Sequence, residues 1–289
     1  MNKILFWLNN SRLFSLPMTI LSWAIVFIYA IKDNGNILNG ILALIGISFA
    51  HLATNLLDDY IDYKKADHSN FQLCKCAYLK ENKATLNELL LVIIIYLFIA
   101  TMMGFILLLR TDFTVIYLAI IGGLVGLNYS HLSQRGFSEV AVGIAFGPLF
   151  FESVYYVMTK HFSLEVLILS FAVVIFTIGL MYTHTVLDYE GDVASHKRTL
   201  CSRFSKENAI NGVILVYSLG YIFTIIFAII TKNYYIFSTF LLIPLIFNLY
   251  SSLKTFKCGG KVEDFYFRLL KARNLMIYYS MIIIICILL

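Results

Sequence analysis

Leu86–Leu109, LNELLLVIIIYLFIATMMGFILLL, is an unbroken apolar stretch in which Glu88 is the one charged side chain. About 20 mostly apolar residues in a helix cross the ~30 Å hydrocarbon layer of a bilayer, so this segment reads as a membrane span. Eight further stretches read the same way: Phe14–Ile31, Ile37–Leu57, Phe113–Tyr129, Phe137–Met158, Phe162–Leu187, Ala209–Ile230, Tyr234–Ser251 and the short Leu275–Leu289. Charged or turn-forming breaks such as Lys32-Asp33-Asn34-Gly35 and Arg110-Thr111-Asp112 separate them. The 289 residues are 60% hydrophobic and 13% charged, with a mean hydropathy of +0.82. Water-soluble globules carry about a quarter charged residues, which excludes that class. Disorder is excluded by 24 Phe and 19 Tyr. The expected fold is all-α: a polytopic membrane protein of about nine transmembrane helices forming a single domain over residues 1–289.

Basic residues orient the spans. With the N-terminus cytoplasmic, 18 of the 22 Lys and Arg fall in inside segments, while Lys32, Arg110, Lys160 and Lys232 are alone outside. The long connections after the second and sixth spans therefore share the cytoplasmic side, and an integral, multi-pass protein in the lipid bilayer is expected. A third inside connection, Ser252–Asn274, mixes Lys with Phe256, Phe265, Tyr266 and Phe267 and reads as an interfacial amphipathic stretch. The net charge of +5 suits anionic headgroups or an anionic substrate, and no nucleic acid is expected. Met1–Arg12 lacks the pattern of a cleavable leader. Five Cys form no regular framework, and Cys74-Lys75-Cys76 has no second pair to complete a zinc site.

Seven of the 17 acidic residues fall in two short windows at the inside ends of the second and sixth spans. The first is Asn55-Leu-Leu-Asp-Asp-Tyr-Ile-Asp-Tyr-Lys-Lys-Ala-Asp67; the second is Asp188-Tyr-Glu-Gly-Asp-Val-Ala-Ser-His-Lys-Arg-Thr-Leu200. Spacings of three and four put Asn55, Asp59 and Asp62 on one helical face, and Asp188 and Asp192 on another. Like charges so placed repel unless a cation binds between them. Carboxylates without His or Cys suit hard divalent ions, and Mg²⁺ usually combines a few carboxylates with substrate phosphates. With Lys64, Lys65, Arg135, Lys197 and Arg198 nearby in the connections, the windows describe a site for a metal-bridged diphosphate.

Asp59-x-x-Asp62-x-x-x-x-Asp67 after Asn55, and Asp188-x-x-x-Asp192 before Lys197-Arg-Thr-Leu, resemble the two aspartate motifs of the UbiA superfamily of intramembrane prenyltransferases. Arg135-Gly-Phe-Ser-Glu139, Phe146-Gly-Pro-Leu149 and Tyr155-Tyr156 resemble the branch that prenylates 1,4-dihydroxy-2-naphthoate in menaquinone synthesis, and Arg12 with Leu16-Pro17 is similar to the family's N-terminal start. The resemblance runs from about Arg12 to Leu200. Asp58, Leu187 and His196 depart from the usual pattern, as does most of Asp67–Lys83. The resemblance implies a Mg²⁺-dependent transferase that moves a polyprenyl group from its diphosphate to an aromatic acceptor. Asn55, Asp59, Asp62, Asp188 and Asp192 would hold the metal, and Lys65, Tyr129, Arg135, Lys197 and Arg198 would contact the diphosphate. Other acceptors such as 4-hydroxybenzoate, a terpene cyclase of the same fold, and a cation-coupled transporter are the alternatives.

Several single residues remain. Glu152 falls near the outer end of its span and suits a structural hydrogen bond, whereas Glu139 lies near the inner end and could orient Arg135 or an acceptor hydroxyl. His51 and His184 precede the aspartates by one to two turns and suit packing more than base catalysis. Tyr129 could touch diphosphate or shield a cation, although interface anchoring is common for Tyr. The basic asymmetry makes a direct prediction. In a cysteine-free background and intact cells, an impermeant maleimide should label a Cys placed at 160 and leave one at 70 unlabelled; the reverse pattern inverts the topology.

Overall fold

The computed structural model describes residues 3–65, 77–194, 199–256 and 262–289, and all regular structure in them is helical. Thirteen α-helices follow in order: α1 Lys3–Asn10, α2 Leu16–Lys32, α3 Ile37–Lys65, α4 Ala77–Lys80, α5 Leu86–Arg110, α6 Thr114–Gln134, α7 Ser138–Ile144, α8 Phe150–Thr159, α9 Leu164–Leu187, α10 Tyr189–Ala194, α11 Lys206–Thr231, α12 Ile243–Lys254 and α13 Val262–Leu288. Among the described residues, eight helical segments are long and apolar enough to cross a membrane, and Thr114–Tyr129 is a shorter apolar helix. The multi-pass, all-helical expectation of about nine spans therefore holds.

Three spans differ from the simple rods that hydropathy suggests. Ser138–Thr159 is α7 and α8 joined by a π-helical turn at Ala145–Leu149, where Gly147 leaves helical geometry (φ −95°, ψ −114°) and Pro148 has no N–H to donate. Gly147 also lets this turn approach α9, since a Cβ there would stand 2.9 Å from Val174 Cγ1. The segment Tyr234–Leu242 is a 3₁₀-helix that passes into α12 with Pro244 in its first turn. Finally, the last span is not short. Leu275–Leu289 continues a helix that begins at Val262, so residues 262–274 are helix rather than a connecting loop. Arg268 explains this: it is buried, ion-pairs with Asp264, donates to Ser252 O at 2.7 Å and lies over the Phe256 ring at 5.0 Å. Those contacts bind the first turns of α13 to the end of α12.

The chain divides into two compact units, Met1–Ile20 with Asn36–Ser130, and Leu21–Gly35 with His131–Leu289. In the first, α3 packs on α5 through Leu52, Ala53 and Leu56 against Leu89, Ile93 and Tyr96, joined by Tyr78 and Leu79 of α4. Glu88, the lone charge of the opening stretch, closes a capping box: Glu88 N donates to Thr85 Oγ1 at 3.2 Å and Thr85 N to Glu88 Oε2 at 2.9 Å. It therefore marks the start of a helix and does not interrupt the span.

In the second unit, α9 packs on α11 and α13 around Phe176. Its ring stacks on Tyr279 (centroids 3.7 Å) and meets Tyr217 and Tyr221 edge-on. Two of the polar tips are tied off inside the core, Tyr221 donating to Thr239 O at 2.9 Å and Tyr279 bonding Thr224 at 2.6 Å, whereas the buried Tyr217 hydroxyl has no hydrogen-bond partner among the described residues. Gly179 permits the approach of α11, because a Cβ there would sit 2.7 Å from Tyr217 Cζ. Gly179→Ala must displace a fully buried ring, so we expect a loss of about 1–3 kcal/mol, read as a lower melting temperature in detergent. An unchanged melting temperature would show that the α9–α11 seam yields freely.

Candidate functional site

The first acidic segment lies on the last turns of α3. Asp59 is 4% exposed, and both of its oxygens are engaged: Oδ1 accepts from Arg12 Nη2 at 2.6 Å and Oδ2 from Tyr78 Oη at 3.1 Å. Asp58 lies 3.4 Å from the same guanidinium nitrogen. Arg12 reaches them from the turn after α1, where it adopts a left-handed backbone (φ 61°, ψ 48°), a conformation that costs a non-glycine residue roughly 1–2 kcal/mol. The turn is fastened by Ser15, whose N and Oγ each donate to Arg12 O at 2.8 Å. Burial opposes the charge on Arg12, but the carboxylates of Asp59 and Asp58 outweigh it and raise its pKa above the ordinary arginine value. Tyr78 is held in place by edge-on contacts with Phe6 and Trp7 of α1.

One turn before, Asn55 Nδ2 donates to Ser11 O at 3.1 Å and Ser15 Oγ at 3.3 Å, which leaves Oδ1 as its open oxygen. His51 bonds Ser15 Oγ (3.2 Å) and Thr19 Oγ1 (2.7 Å), the packing role that its position suggests. Asp62 is half-buried on the same helix, and Tyr129, at the end of α6, is close enough to Arg12 to add to its electrostatic stabilisation. Lys64 lies over the Tyr60 ring at 4.7 Å. The Lys65 side chain and the whole of Asp67 are outside the described residues.

The second segment starts where α9 ends. Asp188 leaves helical geometry (φ −85°, ψ 2°), yet Asp192 N still donates to Asp188 O at 2.8 Å, so the two acids keep the i, i+4 relation read from their spacing. Asp188 is half-exposed; its Oδ2 lies 3.2 Å from His184 Nδ1, and its Oδ1 has no partner among the described residues. Asp192 is buried, and Glu190 pairs with Lys206 at 2.5 Å. Glu139 of α7 is also buried. It accepts from Ser138 Oγ at 2.8 Å and from Thr185 Oγ1 at 3.3 Å, a residue of α9 that the sequence does not single out. The expected Glu139–Arg135 contact is absent among the described residues: Arg135 is exposed and is held through its backbone, its N–H donating to Leu132 O and its carbonyl accepting from Arg203 Nη2, each at 3.1 Å. Cys201 is buried near Glu139 and Asp192, and burial pushes its thiol up to about 12, which keeps it neutral. Lys197 and Arg198 are outside the described residues.

Glu152 lies far from these acids. It accepts from Ser163 N at 3.3 Å, at the first turn of α9, whose 24 residues end beside Asp188. Close by, Tyr155 donates to Asp33 at 2.5 Å and Tyr29 to Glu165. That end of the unit is a hydrogen-bonded fastening.

No three described His, Cys, Asp or Glu residues gather tightly enough to hold a metal by themselves. In each unit the available donors are hard oxygens, Asn55 Oδ1 in the first and Asp188 Oδ1 in the second. A set of this kind fits Mg²⁺ that completes its shell with phosphate oxygens and water. Sequence reasoning missed Tyr78 and the counter-ion role of Arg12, because both depend on α1 folding back on α3; the only trace is a basic residue just ahead of Leu16-Pro17. Arg12→Gln leaves a buried carboxylate without its cation, and should lower unfolding stability by about 1–3 kcal/mol. Adding Asp59→Asn should recover part of that loss in thermal melts, whereas strictly additive losses would mean that the pair contributes nothing.

A profile of the UbiA prenyltransferase family matches residues 15–270. The chain resembles a UbiA homologue from Archaeoglobus fulgidus bound to GPP and Mg²⁺ (TM-score 0.65, 16% identity, 96% of this chain and 99% of that one). It also resembles the apo UbiA homologue from Aeropyrum pernix K1 (TM-score 0.69, 14% identity, 94% and 98%). A digeranylgeranylglyceryl phosphate synthase matches over 100% of both chains, with TM-score 0.66 and 17% identity. At these identities the likeness establishes the fold. No curated protein sequence matches the chain. The family match covers most of the chain and includes both acidic segments: the protein belongs to the UbiA prenyltransferase family.

Proposed function

We propose that the protein transfers a polyprenyl group from its allylic diphosphate to an aromatic acceptor within the membrane, with 1,4-dihydroxy-2-naphthoate of quinone synthesis as the favoured acceptor. The observation that carries the reading is that oxygen donors collect at the ends of α3 and α9, next to cationic side chains, in a chain of this family. The archaeal relatives bound to GPP or DMAPP together with Mg²⁺ support the same choice of substrate and ion.

Asn55, Asp59, Asp62, Asp188 and Asp192 would hold the ion. When bound there, Mg²⁺ would neutralise charge on the departing diphosphate. Arg12 fixes Asp59 through a contact of 2.6 Å, so that carboxyl group is oriented before substrate arrives. His184 holds one oxygen of Asp188, and the other, without a partner among the described residues, would be available to a ligand. Arg135, exposed and without an ion pair among the described residues, would supply a guanidinium to the same phosphate oxygens, together with Lys65, Lys197, Arg198 and the Tyr129 hydroxyl. Departure of the diphosphate leaves an allylic cation, which apolar helices protect from water and aromatic faces stabilise. The electron-rich acceptor ring attacks it, and loss of a proton or of the acceptor's carboxyl group restores aromaticity. The choice of acceptor rests on the Arg135–Glu139, Phe146–Leu149 and Tyr155-Tyr156 segments.

The test is incubation of purified protein with Mg²⁺ and a polyprenyl diphosphate, with and without dihydroxynaphthoate, followed by product analysis. Prenylated naphthoquinol should form only with all three present, and Asp188→Asn or Asp59→Asn should slow it by at least about a hundredfold. If both segments serve one diphosphate, the second substitution should add far less in the double variant than it does alone. Turnover undiminished in EDTA overturns the reading. A cyclic hydrocarbon formed without acceptor would replace it with a cyclase, and a product with 4-hydroxybenzoate alone would reassign the acceptor.

A further inference from the structure

Glu139 has a burden that the proposed reaction does not explain. It is 4% exposed and makes no ion pair among the described residues, although a buried carboxylate is costly without compensation. Its two hydrogen-bond partners among the described residues are hydroxyls, Ser138 Oγ in its own helix and Thr185 Oγ1 in α9. Thr185 stands three residues before Asp188, on the final turn of α9, where its single hydroxyl proton is shared between Glu139 Oε1 at 3.3 Å and Met181 O at 3.0 Å.

Other contacts grip the same turn from different sides. Tyr182 donates to Ala209 O of α11 at 3.0 Å. His184 reaches Asp188 Oδ2 and sets its ring edge-on to Phe265 of α13, 5.6 Å between centroids. The Glu139–Thr185 contact is the corresponding hold from α7. Asp188 is the residue at which α9 gives up helical geometry, so a small rotation of this turn re-aims its carboxylate while leaving the rest of the helix in place. Groups that orient metal ligands from behind are worth about 10–100-fold in metal affinity.

We propose that Glu139 is a positioning residue: through Thr185 it fixes the last turn of α9 and so sets the direction in which Asp188 presents its open oxygen to a metal-bound diphosphate. This rests on the metal–diphosphate reading above. Glu139 has no contact with the substrate in this role. What the role requires is an acceptor oxygen of fixed position, which a glutamine also supplies.

The test titrates Mg²⁺ against full-length protein in detergent at a fixed concentration of geranyl diphosphate and reads the melting temperature. Wild type should be stabilised, with a half-effect at a definite Mg²⁺ concentration. Glu139→Ala and Thr185→Val should need about tenfold more Mg²⁺ or beyond, while Glu139→Gln should stay within about twofold of wild type. The melting temperature without ligand separates this effect from a general loss of stability. Thr185→Val keeps the side-chain shape and removes no charge, so it decides the matter if Glu139→Ala fails to fold. Wild-type titration points in Thr185→Val, or an equal loss in Glu139→Gln and Glu139→Ala, overturns the positioning role and leaves the metal–diphosphate reading standing. Absence of any Mg²⁺-dependent stabilisation in wild type overturns that reading, and this proposal with it.

Discussion

A polar group in the hydrocarbon layer must find its partner inside the protein, because the solvent there offers none. The backbone meets this demand by being helical, and the side chains meet it by the same rule. Inside the spans the hydroxyls of Thr54, Thr101, Thr183 and Thr224 each bond the carbonyl one turn back. In the core, the Tyr221 hydroxyl reaches a carbonyl and that of Tyr279 a threonine, while Tyr217 is an exception among the described residues. Ionised groups cannot be satisfied so cheaply, and they collect where the helices end. That exclusion leaves the acids of α3 and α9 concentrated at helix ends, where Asp58, Asp59 and Asp188 are engaged by a basic or hydroxyl partner.

The two acidic segments solve their charge problem differently. Asp59 is neutralised within its own unit by Arg12 and fixed by Tyr78, and the aromatic contacts of Tyr78 with α1 make that short helix part of the arrangement. Asp188 is half-exposed and only half-engaged, with a histidine on one oxygen. One carboxylate thus has a built-in counter-charge, and the other has a histidine beside it and is partly open to solvent.

Hydropathy made the spans legible, because twenty consecutive apolar residues have few other uses in a protein. The acidic windows were legible for the converse reason: seven carboxylates in two short runs stand out where charge is scarce. What the sequence hid were the features decided by a neighbour in space. Arg12 reads as one more inside cation until α1 is seen to turn back on α3. Thr185 is an ordinary helix residue until Glu139 is placed beside it. The π-turn at Ala145–Leu149 was signalled by Gly147-Pro148, but its direction is set by contact with Val174. The length of α13 was hidden by its charged first turns, which look like a loop until Arg268 is seen anchored to Ser252 and Asp264.

The length of α3 has a further consequence. Its 29 residues rise about 43 Å at ~1.5 Å each, roughly 13 Å more than the hydrocarbon thickness. Unless the helix tilts steeply, its final turns, with Asp59 and Asp62 on them, extend into the headgroup layer, and Asn55 lies at its edge. A prenyl diphosphate is an amphiphile with the same division, an anionic head that stays at the water boundary and a tail that dissolves in lipid. A binding site at that depth meets its substrate already sorted by orientation, with the reactive carbon just below the phosphates. Capture then takes place as a search in two dimensions, and the carbons of the tail beyond the reactive end can remain in the surrounding membrane during the reaction.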